Sequence, residues 1–171
     1  MTAALRSSEG LHNPVDLAEL VVMDRDWSFD RLGDGELLAE VSGTWCNYKV
    51  WFSWQEDTDS ENAGALMLSC SFDTKPPKAA LPRIMQLLNL ANEKIWVGYF
   101  VASAEDNEIM FRHSLLIRDG AGTNTQQLQD LLDIAIQECE RFYPAFQAVT
   151  WGGKSPAGAM EIALFETIAE A

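Results

Sequence analysis

Nucleophilic or acid–base chemistry in this 171-residue chain would have to come chiefly from three cysteines and two histidines. The arrangement that would make an enzyme of it is a thiol activated by an imidazole, with Cys46 or Cys70 as nucleophile and His113 as base. Strand alternation turns all three to one apolar side, Cys46 with Tyr48, Val50, Phe52 and Trp54, Cys70 with Leu66, Leu68 and Phe72, and His113 with Phe111, Leu115 and Ile117. That setting argues for the opposite use. Thiols among apolar neighbours with no cation beside them are usually inert, and a histidine between Phe111 and Leu115 reads as a structural, hydrogen-bonded core group. His12 falls in a small, polar N-terminal stretch. No catalytic residue is assigned, and the thiol enzyme stands as the alternative.

Two further motifs fail on their spacing. WGGKS at 151–155 has the end of a phosphate-binding loop, but the first glycine of that pattern would fall at Ala148, and the stretch follows a helix where a strand is required. It reads as a turn between two helices, with glycine in left-handed geometry. Asp57, Asp59 and Glu61 alternate as in a calcium loop, yet Asn62 stands where the sharp turn needs glycine and Leu68 where a bidentate glutamate is needed. No cofactor or metal is expected.

The elements around these residues follow from periodicity and punctuation. Asn13 and Pro14 form an N-cap and first-turn pair that opens a helix whose two faces are defined by Leu17, Leu20, Val21 and Asp24. From Trp27 the period becomes two: WSFDRL, the turn Gly33-Asp34-Gly35, and ELLAEVSG form a hairpin. TWCNYKVWFSWQ and ALMLSCSFD, joined by EDTDSENAG, are two more strands that should pair. Leu81, Ile84, Leu88 and Ala91 then carry helical spacing, with Pro82 tolerable in the first turn. WVGYFVAS and EIMFRHSLLIR predict a second hairpin. Asn124 or Thr125 caps a long helix with Leu128, Leu132, Ala135, Cys139, Phe142 and Phe146 along one side, bent near Pro144, and Ser155-Pro156 opens a terminal helix. The order helix, four strands, helix, two strands, helix, helix is that of an α+β fold, an antiparallel sheet with helices on one face in two layers. The chain divides into a tail at 1–12, one domain at 13–155 and a C-terminal helix at 156–171.

The other face of that sheet is anomalous. Leu38, Trp45, Lys49, Trp51 and Met67 project away from the predicted helices, more aromatic surface than a monomer usually leaves wet. Either another layer of the same chain covers them or they form a protein-binding or dimer surface. The terminal helix, with Met160, Ala163, Leu164 and Ile168 on one side, is the candidate cover.

A formal net charge of -14 repels nucleic acid and anionic membrane surfaces and suits a cationic partner. Three cysteines in no close pair indicate reduced core thiols. No apolar run reaches signal-peptide or membrane-spanning length, so the chain is expected in the cytoplasm.

Four segments carry a resemblance to a known family: GTWCNYKVWFSWQED, LLNLANEKIWVGYF, MFRHSLLIRDG and ECERFYPAFQAVTWGGKSP. Together, and in this order, they closely resemble the YbjN family, described as bacterial sensory transduction regulators, from about Asn13 to the end. The resemblance implies a fold like that of type III secretion chaperones, a two-layer sheet-and-helix domain that commonly dimerises and binds protein segments. It brings no catalytic motif, metal or ligand. The function expected is that of a non-catalytic protein-binding regulator or chaperone-like adaptor in signalling or stress response, a homodimer holding a protein partner not identified by the sequence. A small-molecule sensor with a pocket between sheet and helices is a further alternative.

Overall fold

The computed structural model describes residues 13–59, 63–118 and 123–169, the last four of these by backbone alone. His12, Glu61, Asn62 and the side chain of Ile168 lie outside the described residues. Helix α1 spans Pro14–Asp24, followed by strands β1 (Ser28–Gly33), β2 (Glu36–Ser42), β3 (Asn47–Glu56) and β4 (Ala63–Ser71). A 3-10 turn at Lys78–Ala80 leads into α2 (Leu81–Asn92), then β5 (Tyr99–Ala102), β6 (Ile109–Arg118), α3 (Thr125–Thr150) and α4 (Pro156–Ala169).

Local chemistry explains where these begin. The Asn13 side-chain oxygen accepts the Val15 N–H at 3.0 Å, and Pro14 occupies the first turn, where a missing N–H costs nothing. Asn124 caps α3 in the same way, accepting the Gln127 N–H at 2.9 Å. That helix runs through Pro144 and ends at the turn containing Gly153, whose φ of +65° is the left-handed conformation expected there.

The six strands make one antiparallel sheet in the order β1-β2-β3-β4-β6-β5. Consecutive strands pair except at one place: β4 lies beside β6, with Ser71 opposite Met110 and Ala63 opposite Arg118, and β5 is placed outside as an edge. The helices cover one face. Leu37, Ala39, Tyr48, Val50, Phe52, Leu68, Cys70 and Phe111 point into it and are buried, meeting Val15, Ala18, Val22, Ile84, Phe142 and Phe146 from the helices. Period-two burial along β2 and β3 is thus the physical trace of one dry face and one bare one.

On α1 the two faces are separated by burial. Val15, Ala18, Val21 and Val22 are its buried face, whereas Leu20 is half exposed. Small and β-branched residues let this helix lie close to the sheet, and Leu20 falls outside that line of contact. Ion pairs fasten the helix: Arg31 of β1 reaches Asp16 at 2.9 Å and Glu19 at 2.7 Å, and Arg25 reaches Asp133 of α3 at 2.6 Å.

Helix α4 packs against α2 and α3, on the helical side of the molecule, with Ala159, Met160 and Ala163 buried. It is therefore not the cover for the second sheet face. Its apolar side is matched by the exposed backs of two neighbouring helices, a nearer target than the far side of the sheet.

Candidate functional site

The bare face of the sheet is built by the residues between the core positions. Register fixes its central row: Asp30 on β1, Leu38 on β2, Trp51 on β3, Ser69 on β4, Arg112 on β6 and Tyr99 on β5 stand side by side across all six strands. Lys49 and Met67 flank that row, so Leu38, Lys49, Trp51 and Met67 share the face that alternation assigned to them. Leu38, Trp51 and Met67 are half-buried, and Lys49 is exposed.

Trp45 is not part of this face. The chain bends through Thr44–Cys46 before β3 begins at Asn47, so alternation does not extend back to Trp45. Its indole stacks instead on the ring of Tyr143 in α3, with centroids 6.2 Å apart and planes 7° apart. Nearby, the Thr44 N–H donates to the Glu140 carboxylate at 2.6 Å.

The structure adds residues that the sequence reading passed over. Arg112, Met110, Tyr99 and Leu116 complete the β5–β6 half of the face, Leu116 being 84% exposed. The signal was present in the same alternation that placed His113: attention to the apolar side of β6 left the other side unread. Arg112 is the unusual member. Its Nε is shielded from solvent without a hydrogen-bond partner among the described residues, and its guanidinium makes no ion pair with them.

Cys70, Cys139 and His113 lie on the opposite, helical face, where no hydrogen bond joins a thiol to His113 among the described residues, while Cys46 stands ahead of β3 at the rim of the sheet. Cys139 of α3 approaches β4, its Sγ 3.6 Å from the Cys70 carbonyl oxygen, and is completely buried. Burial pushes the Cys139 and Cys46 thiols up, away from the reactive thiolate. His113 stands opposite Leu68, half-buried, and makes no hydrogen bond to a described residue. The hydrogen bond expected of the ring finds no partner among the described residues, and its register partner, Leu68, is apolar. Burial alone lowers its pKa, so the neutral ring is favoured. Tyr48, also buried, has its phenol pushed up by burial and by the nearby Glu140.

At one end of the bare face lies an open depression of about 370 Å³, lined by Glu40, Lys49, Ser71, Asp73 and Glu108 among others. It is on the sheet's outer rim, not between sheet and helices. No described helix is long and apolar enough to cross a membrane.

No curated protein matches the chain. A family profile does, over residues 14–148, from the first residue of α1 almost to the end of α3. Its span contains the whole sheet and both faces described above, and covers most of the chain, which therefore belongs to the YbjN family, described as "Putative bacterial sensory transduction regulator".

Proposed function

We propose that this chain is a non-catalytic regulator that acts by protein association through the bare face of its sheet, working in the bacterial cytoplasm as a homodimer and as a chaperone-like adaptor for a protein partner. The observation that carries the reading is the row Leu38, Trp51, Ser69, Arg112 and Tyr99, an aromatic and apolar strip with a guanidinium that has no ion-pair partner among the described residues, left open on a sheet whose other face holds the helices. Aromatic groups and arginine at the centre of a patch are the composition that anchors protein interfaces. The family description as a regulator agrees with such a role.

The test is capture of partners on immobilised wild-type protein and on Trp51→Ala, with circular dichroism to establish that both are folded. Proteins held by the wild type and lost from the variant support the reading. Equal capture by both, or none by either, counts against the face as a binding surface.

A further inference from the structure

Charges on the bare face are sorted by strand. Asp30 on β1 and Glu36 and Glu40 on β2 are acidic; Lys49 on β3 and Arg112 on β6 are basic. None of these five joins a salt bridge with a described residue, although Lys49 stands opposite Glu40 in register. The ion pairs that do form involve the helices or the loops, as with Arg31 and Arg25. Across its central rows the face therefore has an acidic flank, Asp30, Glu36 and Glu40, opposite a basic position at Arg112, none of them ion-paired with a described residue, while Asp73 and Glu108 add acid at one end.

We propose that the occupant of this face is a second copy of the chain, stacked face to face about a two-fold axis running along the strands, so that Arg112 of each copy lies over Leu38 of the other, between its Glu36 and Glu40. This rests on the reading that the bare face is an association surface, and names what it associates with. A two-fold along the strands reverses the strand order of the second sheet, which sets β2 over β6, β3 over β4 and β1 over β5. The acidic flank then meets Arg112. A two-fold across the strands would instead stack every strand on its own copy, placing Arg112 over Arg112, which like-charge repulsion forbids.

Shape agrees with charge. With β3 over β4, each Trp51 indole stands over the small side chain of Ser69, and the sulfur side chain of Met67 borders the contact. Asp30 meets the hydroxyl of Tyr99. The orphaned Arg112 Nε–H gains the carboxylate it lacks, in a site from which both sheets exclude water. Size is sufficient: six strands at about 4.8 Å spacing and roughly 23 Å of length present about 550 Å² per copy, so a pair hides about 1,100 Å², within the range of specific but modest interfaces. A protein partner that needs Trp51 must displace the second copy, so self-association and partner binding exclude each other.

The experiment is a charge exchange read by sedimentation equilibrium, with circular dichroism checking the fold of each variant. Glu40→Arg, on the exposed rim, and Arg112→Glu should each weaken the dimer about 100-fold or more, because each sets like charges face to face. The double variant Glu40→Arg/Arg112→Glu, which restores opposite charges, should recover to within about tenfold of the wild type. Should Arg112→Glu not fold, Arg112→Gln against Glu40→Gln gives the same comparison without charge reversal. A double variant no tighter than its weaker parent overturns the pairing, while dissociation by Trp51→Ala in that same series would leave the bare face as the association surface. A wild-type protein that stays monomeric at 100 μM overturns the pairing as well, and capture on Trp51→Ala then decides separately whether the face binds anything.

Discussion

Asn92, at the end of α2, holds the backbone of Phe100 in β5 from both directions. Its Nδ2 donates to the Phe100 carbonyl at 3.0 Å, and its Oδ1 accepts the Phe100 N–H at 2.7 Å. A side-chain amide has the same donor and acceptor as a peptide group, so Asn92 stands where the next strand would pair. At Phe100, one edge of the sheet is thus capped by a side chain. Asn92→Ala should lower unfolding stability by about 1–3 kcal/mol, the cost of leaving a backbone donor and acceptor unpaired, measurable by urea titration. It should also raise turbidity on warming as the β5 edge is freed. Asn92→Asp, which keeps the acceptor and loses the donor, should fall between.

Trp51 should behave as an anchor of association and not of folding. Its ring is on the bare face while Val50 and Phe52 beside it supply the core. Trp51→Ala is expected to weaken self-association by about 2 kcal/mol or more in light-scattering titrations, with circular dichroism unchanged. Lys49→Ala, at an exposed position two residues away, should change fold stability by no more than about 0.5 kcal/mol. Outright unfolding of Trp51→Ala would place the indole in the interior.

His113 makes the fold sensitive to acid. Burial lowers its pKa in the folded chain below the ordinary value, near 6.5, that it has when unfolded. The unfolded chain therefore takes up the proton first as pH falls. The contribution of His113 is fully present above about pH 6.5 and is lost as pH drops through the folded value. Melting temperature should fall between pH 7.5 and 5.5 in the wild type, and His113→Gln should remove that part of the fall. Equal slopes in the two proteins would mean the ring is not shielded.

Thiol reactivity should be slow and ordered. Cys70 and Cys139 are buried, Cys46 is half-buried, and burial holds the Cys46 and Cys139 thiols up. Mass spectrometry after alkylation at pH 8 should find Cys46 labelled first, and Cys70 and Cys139 only after denaturant is added. Rapid labelling of native Cys70 would point to an activated thiol.

Most of the architecture was legible because the two periods are clean. Leu37, Ala39 and Val41, then Tyr48, Val50 and Phe52, mark one dry face without ambiguity, and Asn13-Pro14 marks a helix start. Trp45 was misplaced because alternation holds only while the backbone stays extended, and nothing in TWC announces the bend before Asn47. The position of α4 was illegible for another reason. Its apolar side fits either an exposed helix pair or a bare sheet, and only the three-dimensional arrangement decides between them. Arg112 was legible in spacing, but whether its guanidinium finds a partner depends on side chains from other strands.

The junction of β4 with β6 bears on how the chain reaches this state. Strands β1 to β4 form a meander whose pairings close short loops, and β5 with β6 form a separate hairpin. The two halves meet only where Ser71 lines up with Met110 and Ala63 with Arg118, after α2 has been traversed. Closing that long loop carries the largest entropic cost in the sheet, and its reward comes only when the whole seam zips. The seam is therefore expected to form late in folding. Until it does, each half keeps a raw edge at the middle of the future sheet, which is the point at which a nascent chain is most exposed to mispairing.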